Sequence, residues 1–308
     1  MDNVLNVTYI TLDGYVDMDK YRYVYFVIMF TVYILIICSN STIVYLIWIH
    51  QSLHEPMYIF IAALLVNSVL FSTAIYPKLL IDFLSEKQII SYSACLFQCA
   101  MFYSLGGSEF LLLAAMAFDR YVSICKPLQY QTIMRNTTVS IFLLLAWFLP
   151  TFQVAVTVAL NSSEKLCSFT LKGIFCNNTV YKLFCVLSKV QIIQNIIVLF
   201  NVALLPVLFI LFTYTRILII SYQSCREVRR KAAQTCLPHL IVLINFSCLC
   251  AYDVIVAGLD SVFPKTLRLI MTLQVVLYNP LFNPIMYGLK MKEIYKHLKR
   301  LFCSGKIN

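Results

Sequence analysis

The stretch Tyr23–Ile49, YVYFVIMFTVYILIICSNSTIVYLIWI, decides the fold of this chain. It carries no charged side chain and exceeds the roughly 20 mostly apolar residues that a helix needs to cross the hydrocarbon core of a bilayer. Backbone N–H and C=O groups find no water partner in lipid, so such a segment is expected to be helical. The chain is therefore predicted to be an integral membrane protein.

The rest of the chain repeats this pattern. Hydrophobic residues make up 61% of the 308 and charged residues only 12%, whereas a soluble domain is about half apolar and about a quarter charged. A membrane β-barrel would instead alternate apolar and polar residues over short segments. We predict an all-α bundle of seven transmembrane helices, near Tyr23–Ile49, Met57–Ile81, Tyr92–Ile124, Thr138–Leu160, Gln191–Tyr222, Ala232–Leu259 and Leu267–Leu289.

Nothing in the sequence divides the chain into separate domains, because it shows no linker, internal repeat or low-complexity tract. We place an N-terminal segment at 1–22, the seven-helix domain at 23–289 and a terminal segment at 290–308. The first 20 residues carry four aspartates and lack the basic start and apolar core of a cleavable signal peptide. The first span is therefore expected to act as its own insertion signal.

The terminal segment has a character of its own. After Gly288, basic residues alternate with apolar ones at helical spacing, at Met291, Ile294, Leu298 and Leu301. This pattern predicts an amphipathic eighth helix that lies along an anionic cytoplasmic leaflet. Cys303, just beyond it, is a candidate for palmitoylation.

The net charge of +10 is explained by membrane topology. Lys and Arg flank the apolar runs instead of covering one solvated face, so a nucleic-acid partner is not expected. Basic clusters at 226–231 and 290–306 outweigh the four lysines of the long loop near 161–190, which predicts an outside N-terminus and a cytoplasmic C-terminus. Asn6, Asn161 and Asn177 then head outward-facing Asn-x-Ser/Thr triplets, and we predict that they are glycosylated.

Four of the twelve cysteines share the predicted outer face. Cys95 lies at the top of the third helix, and Cys167, Cys176 and Cys185 lie in the long loop. An oxidising exterior allows two disulfides among these four, and two bridges would fold the loop into a lid over the bundle. Metal binding is the alternative, but no histidine accompanies them and no C-x-x-C pair occurs. We therefore predict disulfides and no metal site.

Two acidic residues lie inside predicted spans, and ionisable side chains at such depth suggest function by default. Glu109 lies near mid-depth in the third helix, where Gly106, Gly107 and Ser108 leave space beside it. We predict a buried polar network or a cation site there. Asp253 lies one or two turns below the outer end of the sixth helix. It either reaches the outer interface or contacts a ligand, and the second alternative predicts a preference for amines.

Two motifs mark the predicted cytoplasmic half. Met116-Ala117-Phe118-Asp119-Arg120-Tyr121 ends the third helix, and its Asp–Arg pair is either a plain helix-end ion pair or part of a switch. Asn283-Pro284-Ile285-Met286-Tyr287 puts a proline inside the seventh helix. Proline removes one backbone hydrogen bond and favours a kink, and Asn283 is expected to help satisfy the freed backbone groups.

With these residues placed, the chain resembles the odorant receptors, a branch of the rhodopsin-like G protein-coupled receptors, over essentially its whole length. The second helix is more similar to fish odorant receptors than to mammalian ones. Five motifs carry the resemblance: Leu53–Tyr58 (LHEPMY), Met116–Leu128 (MAFDRYVSICKPL), Thr213–Leu218 (TYTRIL), Lys231–Leu240 (KAAQTCLPHL) and Asn283–Tyr287 (NPIMY).

The resemblance implies a plasma-membrane receptor, without enzymatic activity or cofactor, that binds a small odorant and activates a stimulatory, olfactory-type Gα. It implies disulfides that pair Cys95 with Cys176 and Cys167 with Cys185. It also implies an inner switch in which Asp119 holds Arg120 at rest and releases it to meet the Gα C-terminus. The remaining members of that switch would be Tyr121, Tyr214, His239, Asn283, Pro284 and Tyr287.

The ligand pocket is expected among the third, fifth, sixth and seventh helices, beneath the loop lid. Asn67-Ser68 stands where the superfamily usually has an aspartate, and we group both residues with Glu109 in the buried polar or cation site. Phe246-Ser247-Cys248 replaces the aromatic-rich stretch of many odorant receptors. The side chains expected to face the pocket are Phe102, Tyr103, Gly106, Leu199, Val202, Cys250, Tyr252, Asp253, Val254 and Leu273.

Two other protein classes fit the sequence less well. A transporter would show paired broken helices in repeated halves, and the sequence has no such symmetry. A membrane enzyme would need a cluster of catalytic or metal-binding side chains, whereas the four histidines, His50, His54, His239 and His297, are scattered on the predicted inner side. Within the receptors, a non-olfactory chemosensory role remains open.

Overall fold

The computed structural model describes residues 8–162, 164–223, 226–258 and 264–303, and for 226–235, 253–258 and 302–303 it describes the backbone alone. Helices account for most of these residues. Four short helical turns lie between them, at Gln51–Leu53, Pro127–Gln129, Tyr130–Ile133 and Asn178–Leu183. The long helices are α1 (Met18–Ile49), α2 (Pro56–Leu84), α3 (Tyr92–Cys125), α4 (Asn136–Ser162), α5 (Lys189–Gln223), α6 (Arg226–Gly258), α7 (Lys265–Lys290) and α8 (Lys292–Cys303).

Helices α1 to α5 and α7 are each long and apolar enough to cross a bilayer, and α6 contains the apolar stretch Cys236–Tyr252. Large apolar side chains cover the outside of the bundle; Trp48, Phe148 and Phe152 are 74%, 71% and 69% exposed. So much exposed apolar surface is unfavourable in water and favourable in lipid. The predicted fold class, an all-α membrane bundle with a short C-terminal helix, is confirmed.

Helix α3 is the centre of the bundle and packs against α2, α4, α5 and α6. In its most apolar stretch 72% of the residues are buried, against 17% in α4. Gly107 makes this packing possible, because a Cβ atom there would overlap Val202 of α5 and lie 2.9 Å from Pro150 of α4. Gly107 therefore serves close helix contact, not the open space beside Glu109 that we expected.

Helix α5 contains a π-helical segment, Phe200–Leu204, between its two α-helical parts, Lys189–Leu199 and Leu205–Gln223. Pro206 lies two residues beyond the end of this segment and has no N–H to donate to the preceding turn. The missing donor explains why the hydrogen-bond register changes here. Such bulges concentrate at functional sites, and this one lies beside the cavity described below.

Three short strands form a sheet at one end of the bundle, in the order β2, β1, β3. Strand β1 (Tyr9–Leu12) pairs antiparallel with β2 (Ile89–Ser91) and parallel with β3 (Thr170–Leu171). The sheet ties the start of the described chain to the α2–α3 connection and to the long loop between α4 and α5. This sheet was not expected from the sequence, because strands this short leave almost no periodic signal.

The backbone carbonyl that Pro284 frees in α7 finds its hydrogen-bond donor in another helix, not in Asn283 as we expected. Pro284 has no N–H, so the carbonyl of Pro280 loses its helical partner. Asn40 of α1 supplies the missing donor, with its Nδ2 2.9 Å from that carbonyl oxygen. The side chain of Asn283 donates instead to Ser68 and Glu109. Asn283 therefore does not satisfy the freed backbone group; Asn40 does.

Helix α8 packs against α7 and α1. The apolar residues that predicted it divide into two groups: Met291 and Ile294 are buried, and Leu298 packs against the core, whereas Leu301 is exposed. The side chain of Cys303, the predicted palmitoylation site, lies outside the described residues.

Candidate functional site

The end of the bundle that carries the sheet is held by two disulfides, and we call it the disulfide end. Cys95, in the first turn of α3, is bonded to Cys176 with a Cα–Cα distance of 5.4 Å. Cys167 is bonded to Cys185 with a Cα–Cα distance of 4.8 Å. These are the two pairings that the resemblance implied. The first fastens the long loop to α3, and the second closes the loop on itself.

A cavity of about 460 Å³ lies beneath this loop. It is lined by six of the residues expected to face a pocket, namely Phe102, Tyr103, Gly106, Leu199, Val202 and Cys250. Tyr252 and Leu273 do not line it; they pack against the apolar cluster of the disulfide end. The side chains of Asp253 and Val254 lie outside the described residues.

The cavity is also shifted relative to its predicted position. Helix α4, which we did not include, contributes Val154, Thr157, Val158 and Asn161, whereas the only described contribution of α7 is Val275. The packing of α4 against α3 and α5 places these side chains, and such packing has no signature in the hydropathy of a lipid-facing helix.

Polar side chains gather where the loop, α4 and α5 meet at the cavity wall. The hydroxyl of Tyr181 donates to Oδ1 of Asn195 over 2.9 Å. Nε2 of Gln191 donates to Oδ1 of Asn161 over 3.1 Å. Among the described lining residues none is Asp, Glu, Lys, Arg or His. The described wall is therefore apolar and uncharged, with one polar region of amides and a phenol.

The predicted glycosylation of Asn161 is wrong. Its side chain is only 5% exposed and is hydrogen-bonded to Gln191 at the cavity wall, and a bulky glycan needs an exposed acceptor. Asn177 is half-buried, and its Oδ1 accepts bonds from the backbone and hydroxyl of Thr179. Asn6 lies outside the described residues. Glycosylation of Asn177 and of Asn6 stays a prediction.

A buried polar centre lies deeper in the bundle, around Glu109, which is 1% exposed. Its Oε2 accepts a 2.6 Å hydrogen bond from Nδ2 of Asn279, and its Oε1 accepts a 3.0 Å bond from Nδ2 of Asn283. Asn283 also donates to Oγ of Ser68. The carboxyl group thus joins α3 to α7, and Asn283 extends the connection to α2.

Two corrections to the predicted polar site follow. Asn67 does not contact Glu109: its Nδ2 donates to the backbone of Leu105, and its Oδ1 accepts from Trp147 of α4. Asn279 is a partner of Glu109 that was not predicted from the sequence. A detectable signal was present, because Asn279 precedes Asn283 by four residues and side chains at that spacing share one helix face.

The opposite end of the bundle carries the Asp119–Arg120 pair, and we call it the Arg120 end. The carboxylate of Asp119 is fully buried and accepts from Nε of Arg120 over 3.0 Å. Its other oxygen accepts a 2.8 Å bond from the hydroxyl of Tyr130, a partner that we did not predict. Burial, and next the charge of Asp119, raise the pKa of Tyr130. Both oxygens of the buried Asp119 carboxylate are therefore hydrogen-bonded, and one of them holds Arg120.

Tyr121, Tyr214, His239 and Tyr287 of the predicted inner switch lie in one connected group, whereas Asn283 belongs to the polar centre at Glu109. Tyr214 and Tyr287 are buried within one apolar cluster, and Tyr121 packs against that cluster. Nδ1 of His239 lies 3.4 Å from the hydroxyl of Tyr287. The hydroxyl of Tyr214 has no hydrogen-bond partner among the described residues. The Arg120 end thus holds a cluster of buried polar groups, and not all of them are hydrogen-bonded within the described residues.

The geometry defines a class of protein: a helical membrane bundle with a covered cavity at one end and a held Asp–Arg pair at the other, the arrangement of a G protein-coupled receptor. Residues 29–305 match the sequence profile of the family described as "Olfactory receptor". The chain belongs to the olfactory receptor family. Its members are receptors, not enzymes.

Individual relatives agree with the profile along the whole chain. Olfactory receptor 51E1 of Homo sapiens is 33% identical over 97% of this chain and 95% of its own length. Olfactory receptor 11A1 of Homo sapiens is 31% identical over 96% of this chain and 94% of its own length. Olfactory receptor 1 of Rattus norvegicus is 30% identical over 94% and 92%, respectively.

Proposed function

We propose that this receptor binds a small odorant in the cavity at the disulfide end and then activates a stimulatory, olfactory-type Gα at the Arg120 end. The observation that carries the proposal is the separation of the two sites within one bundle. The cavity lies between α3, α4, α5 and α6, and α3 continues from the cavity wall to Asp119 and Arg120.

The proposed orientation puts the disulfide end outside the plasma membrane and the Arg120 end in the cytoplasm. Disulfides persist in oxidising compartments, and Lys and Arg concentrate on the cytoplasmic side of spans. In this arrangement residues 1–22 are the outer segment, 23–289 the receptor domain and 290–308 the cytoplasmic segment. Asn6 and Asn177 are then available to the glycosylation machinery.

The mechanism is a shift between two packings of the bundle. A ligand favours the active packing only if it binds that packing more tightly, and the G protein, which binds the same packing from the other side, is then reciprocally coupled to it. In the resting packing Asp119 holds Arg120. In the active packing Arg120 is released to meet the Gα C-terminus, and Tyr121, Tyr214, His239, Asn283, Pro284 and Tyr287 rearrange around it.

The polar centre at Glu109 is proposed to bind a monovalent cation. Asn279 and Asn283 turn their Nδ2 groups to the carboxyl, and both of their Oδ1 atoms are buried without a hydrogen-bond partner among the described residues. If both amides turned over, these oxygens would face the carboxyl and, with Oγ of Ser68, supply a set of oxygen donors, which hard cations prefer. A cation there would stabilise the contact of α2, α3 and α7 in one packing.

The test is a cyclic-AMP assay in cells that express the olfactory Gα and the receptor, with an odorant panel. We also infer a fish-type subtype from the sequence of α2, so the panel consists of water-soluble odorants. Arg120→Ala is the matched variant, and antibody labelling of intact cells measures its surface level. The proposal expects an odorant response in the wild type that the variant loses at equal surface level. An unchanged response of Arg120→Ala would refute the coupling role.

A further inference from the structure

Directed hydrogen bonds fix the side chains in the polar region of the cavity wall. The first begins at a backbone N–H, since the amide of Ser188 donates to Oε1 of Gln191 over 2.8 Å. Because Oε1 of Gln191 is occupied by this bond, Nε2 is left to donate to Oδ1 of Asn161 on α4. A backbone N–H cannot become an acceptor, so the orientation of both side-chain amides is determined.

A further hydrogen bond joins the loop to α5. Asn161 has its Oδ1 occupied by Gln191, so its Nδ2 faces the other way, and Asn161 and Tyr181 both line the cavity. The hydroxyl of Tyr181 donates its hydrogen to Oδ1 of Asn195, 2.9 Å away. These bonds therefore fix the orientation of the side-chain amides of Gln191, Asn161 and Asn195.

Asn195 decides the chemistry of the cavity. Asn195 lies on α5 among the lining residues and is half-buried. With its Oδ1 committed to Tyr181, it presents its Nδ2, which carries two N–H donors. The cavity thus has a donor at its polar region and no acid or base among its described lining residues. Among these described residues a charged ligand would find no partner of opposite charge to offset its lost hydration.

From this geometry we infer that the ligand is a neutral molecule with an apolar body and a hydrogen-bond acceptor, such as a carbonyl oxygen, that binds Nδ2 of Asn195. This inference rests on the proposed function, since it names the ligand class of the same cavity. The apolar body lies against the aromatic wall of Phe71, Phe102, Phe110 and Phe246. The alternative, an amine held by Asp253, predicts the opposite preference.

The test uses one carbon skeleton with different head groups: octan-2-one, octane, octanoate and octylamine, at neutral pH. The ketone is expected to be the most potent of the four. Loss of one neutral hydrogen bond changes affinity about 3- to 10-fold, so octane should be weaker than octan-2-one by that factor. Octanoate and octylamine, both charged, should be weaker than octan-2-one.

Substitution of Asn195 sharpens the test. Asn195→Ala should weaken octan-2-one about 3- to 10-fold and leave octane unchanged. Asn195→Asp replaces the donor by an anionic acceptor, so it should weaken the ketone and strengthen octylamine. Gln194→Glu is the matched control: the neighbouring side chain donates to the backbone of Gln153 and does not line the cavity. It should leave the order of the four compounds unchanged.

Three results would overturn the inference. Octylamine could be the most potent compound in the wild type and lose its effect in Asp253→Asn, or Asn195→Asp could leave the order unchanged. All four compounds could also fail while basal cyclic AMP still depends on Arg120. In each case the proposed function survives. If no compound acts and Arg120→Ala leaves basal cyclic AMP at the wild-type level at equal surface expression, the proposed function itself is contradicted.

Discussion

Nδ2 of Asn40, in α1, lies 2.9 Å from the carbonyl oxygen of Pro280, in α7, and donates a hydrogen bond to it. The two residues are 240 positions apart in the chain. The same nitrogen also donates to the carbonyl of Ile36, one turn earlier in α1. A single buried amide thus replaces the donor that Pro284 cannot supply and fastens α1 to the kinked part of α7.

Replacing Asn40 by Ala should destabilise the receptor. The carbonyl of Pro280 would lose its donor in a buried site, and an unsatisfied buried acceptor costs about 1–3 kcal/mol. We expect a lower unfolding temperature for Asn40→Ala in detergent, measured by thiol-reactive fluorescence. Ser39→Ala is the control, because Ser39 bonds only within its own helix, to the carbonyl of Ile36. Equal unfolding temperatures for the two variants would contradict the role of Asn40.

The two adjacent glycines of α3 should respond in opposite ways to alanine. A Cβ atom on Gly107 would overlap Val202 and lie 2.9 Å from Pro150, whereas one on Gly106 would lie 3.9 Å from Phe246, an ordinary contact. Overpacking costs about 1–3 kcal/mol, while alanine in a helix gains about 1 kcal/mol over glycine. Gly107→Ala should reduce surface expression and unfolding temperature.

Gly106→Ala is the matched control for this prediction. It makes the same chemical change one residue away and should fold normally, although its methyl group enters the cavity wall. If Gly107→Ala and Gly106→Ala reach the cell surface equally well, the close approach of α3 to α4 and α5 at Gly107 is not what limits the packing.

Sodium should stabilise the wild-type receptor through Glu109. Its carboxyl accepts from Asn279 and Asn283, and Glu109→Gln keeps the shape while it removes the formal charge that attracts a cation. We expect the unfolding temperature of the wild type to rise when choline chloride is replaced by sodium chloride at constant ionic strength. Glu109→Gln should lack this rise. A sodium effect of the same size in both proteins would contradict cation binding at Glu109.

Helix α8 should dock more weakly at acidic pH. His297 of α8 stacks on His50 at the end of α1, with ring centroids 3.9 Å apart. Burial, the neighbouring His50 and then Arg300 lower the pKa of His297, against the opposing effect of Glu293. The undocked helix therefore binds a proton at a higher pH than the docked one, and docking is lost as pH falls below about 6.5, the ordinary histidine pKa.

Hydrogen–deuterium exchange of the α8 backbone, normalised to the intrinsic exchange rate, measures this effect between pH 7.5 and 5.5. Protection should fall with pH in the wild type. His297→Phe keeps an aromatic ring against His50 but takes no proton, so its protection should change less. His54→Phe is the control, since His54 is exposed and lies near the backbone of Trp48. If His297→Phe retains the wild-type pH dependence, His297 is not its source.

The sequence by itself determined the membrane class, the helices and the family. Each helix had to contain about 20 mostly apolar residues, so hydropathy located them within a few residues, as for Tyr92–Ile124 against the observed Tyr92–Cys125. Local motifs also drew attention to Asp119, Arg120 and Glu109, because charge inside an apolar run is costly and therefore informative.

The tertiary structure alone decided which side chains meet. The packing of the helices brings Asn279 to Glu109, turns Asn67 toward Trp147 and buries Asn161 at the cavity wall. Local periodicity places Asn279 and Asn283 on one helix face, but it does not identify the partner of either residue, because each contact joins residues far apart in the chain. The Asn40–Pro280 bond belongs to this group: proline predicts that a carbonyl is freed, but only the folded bundle shows which helix supplies the donor.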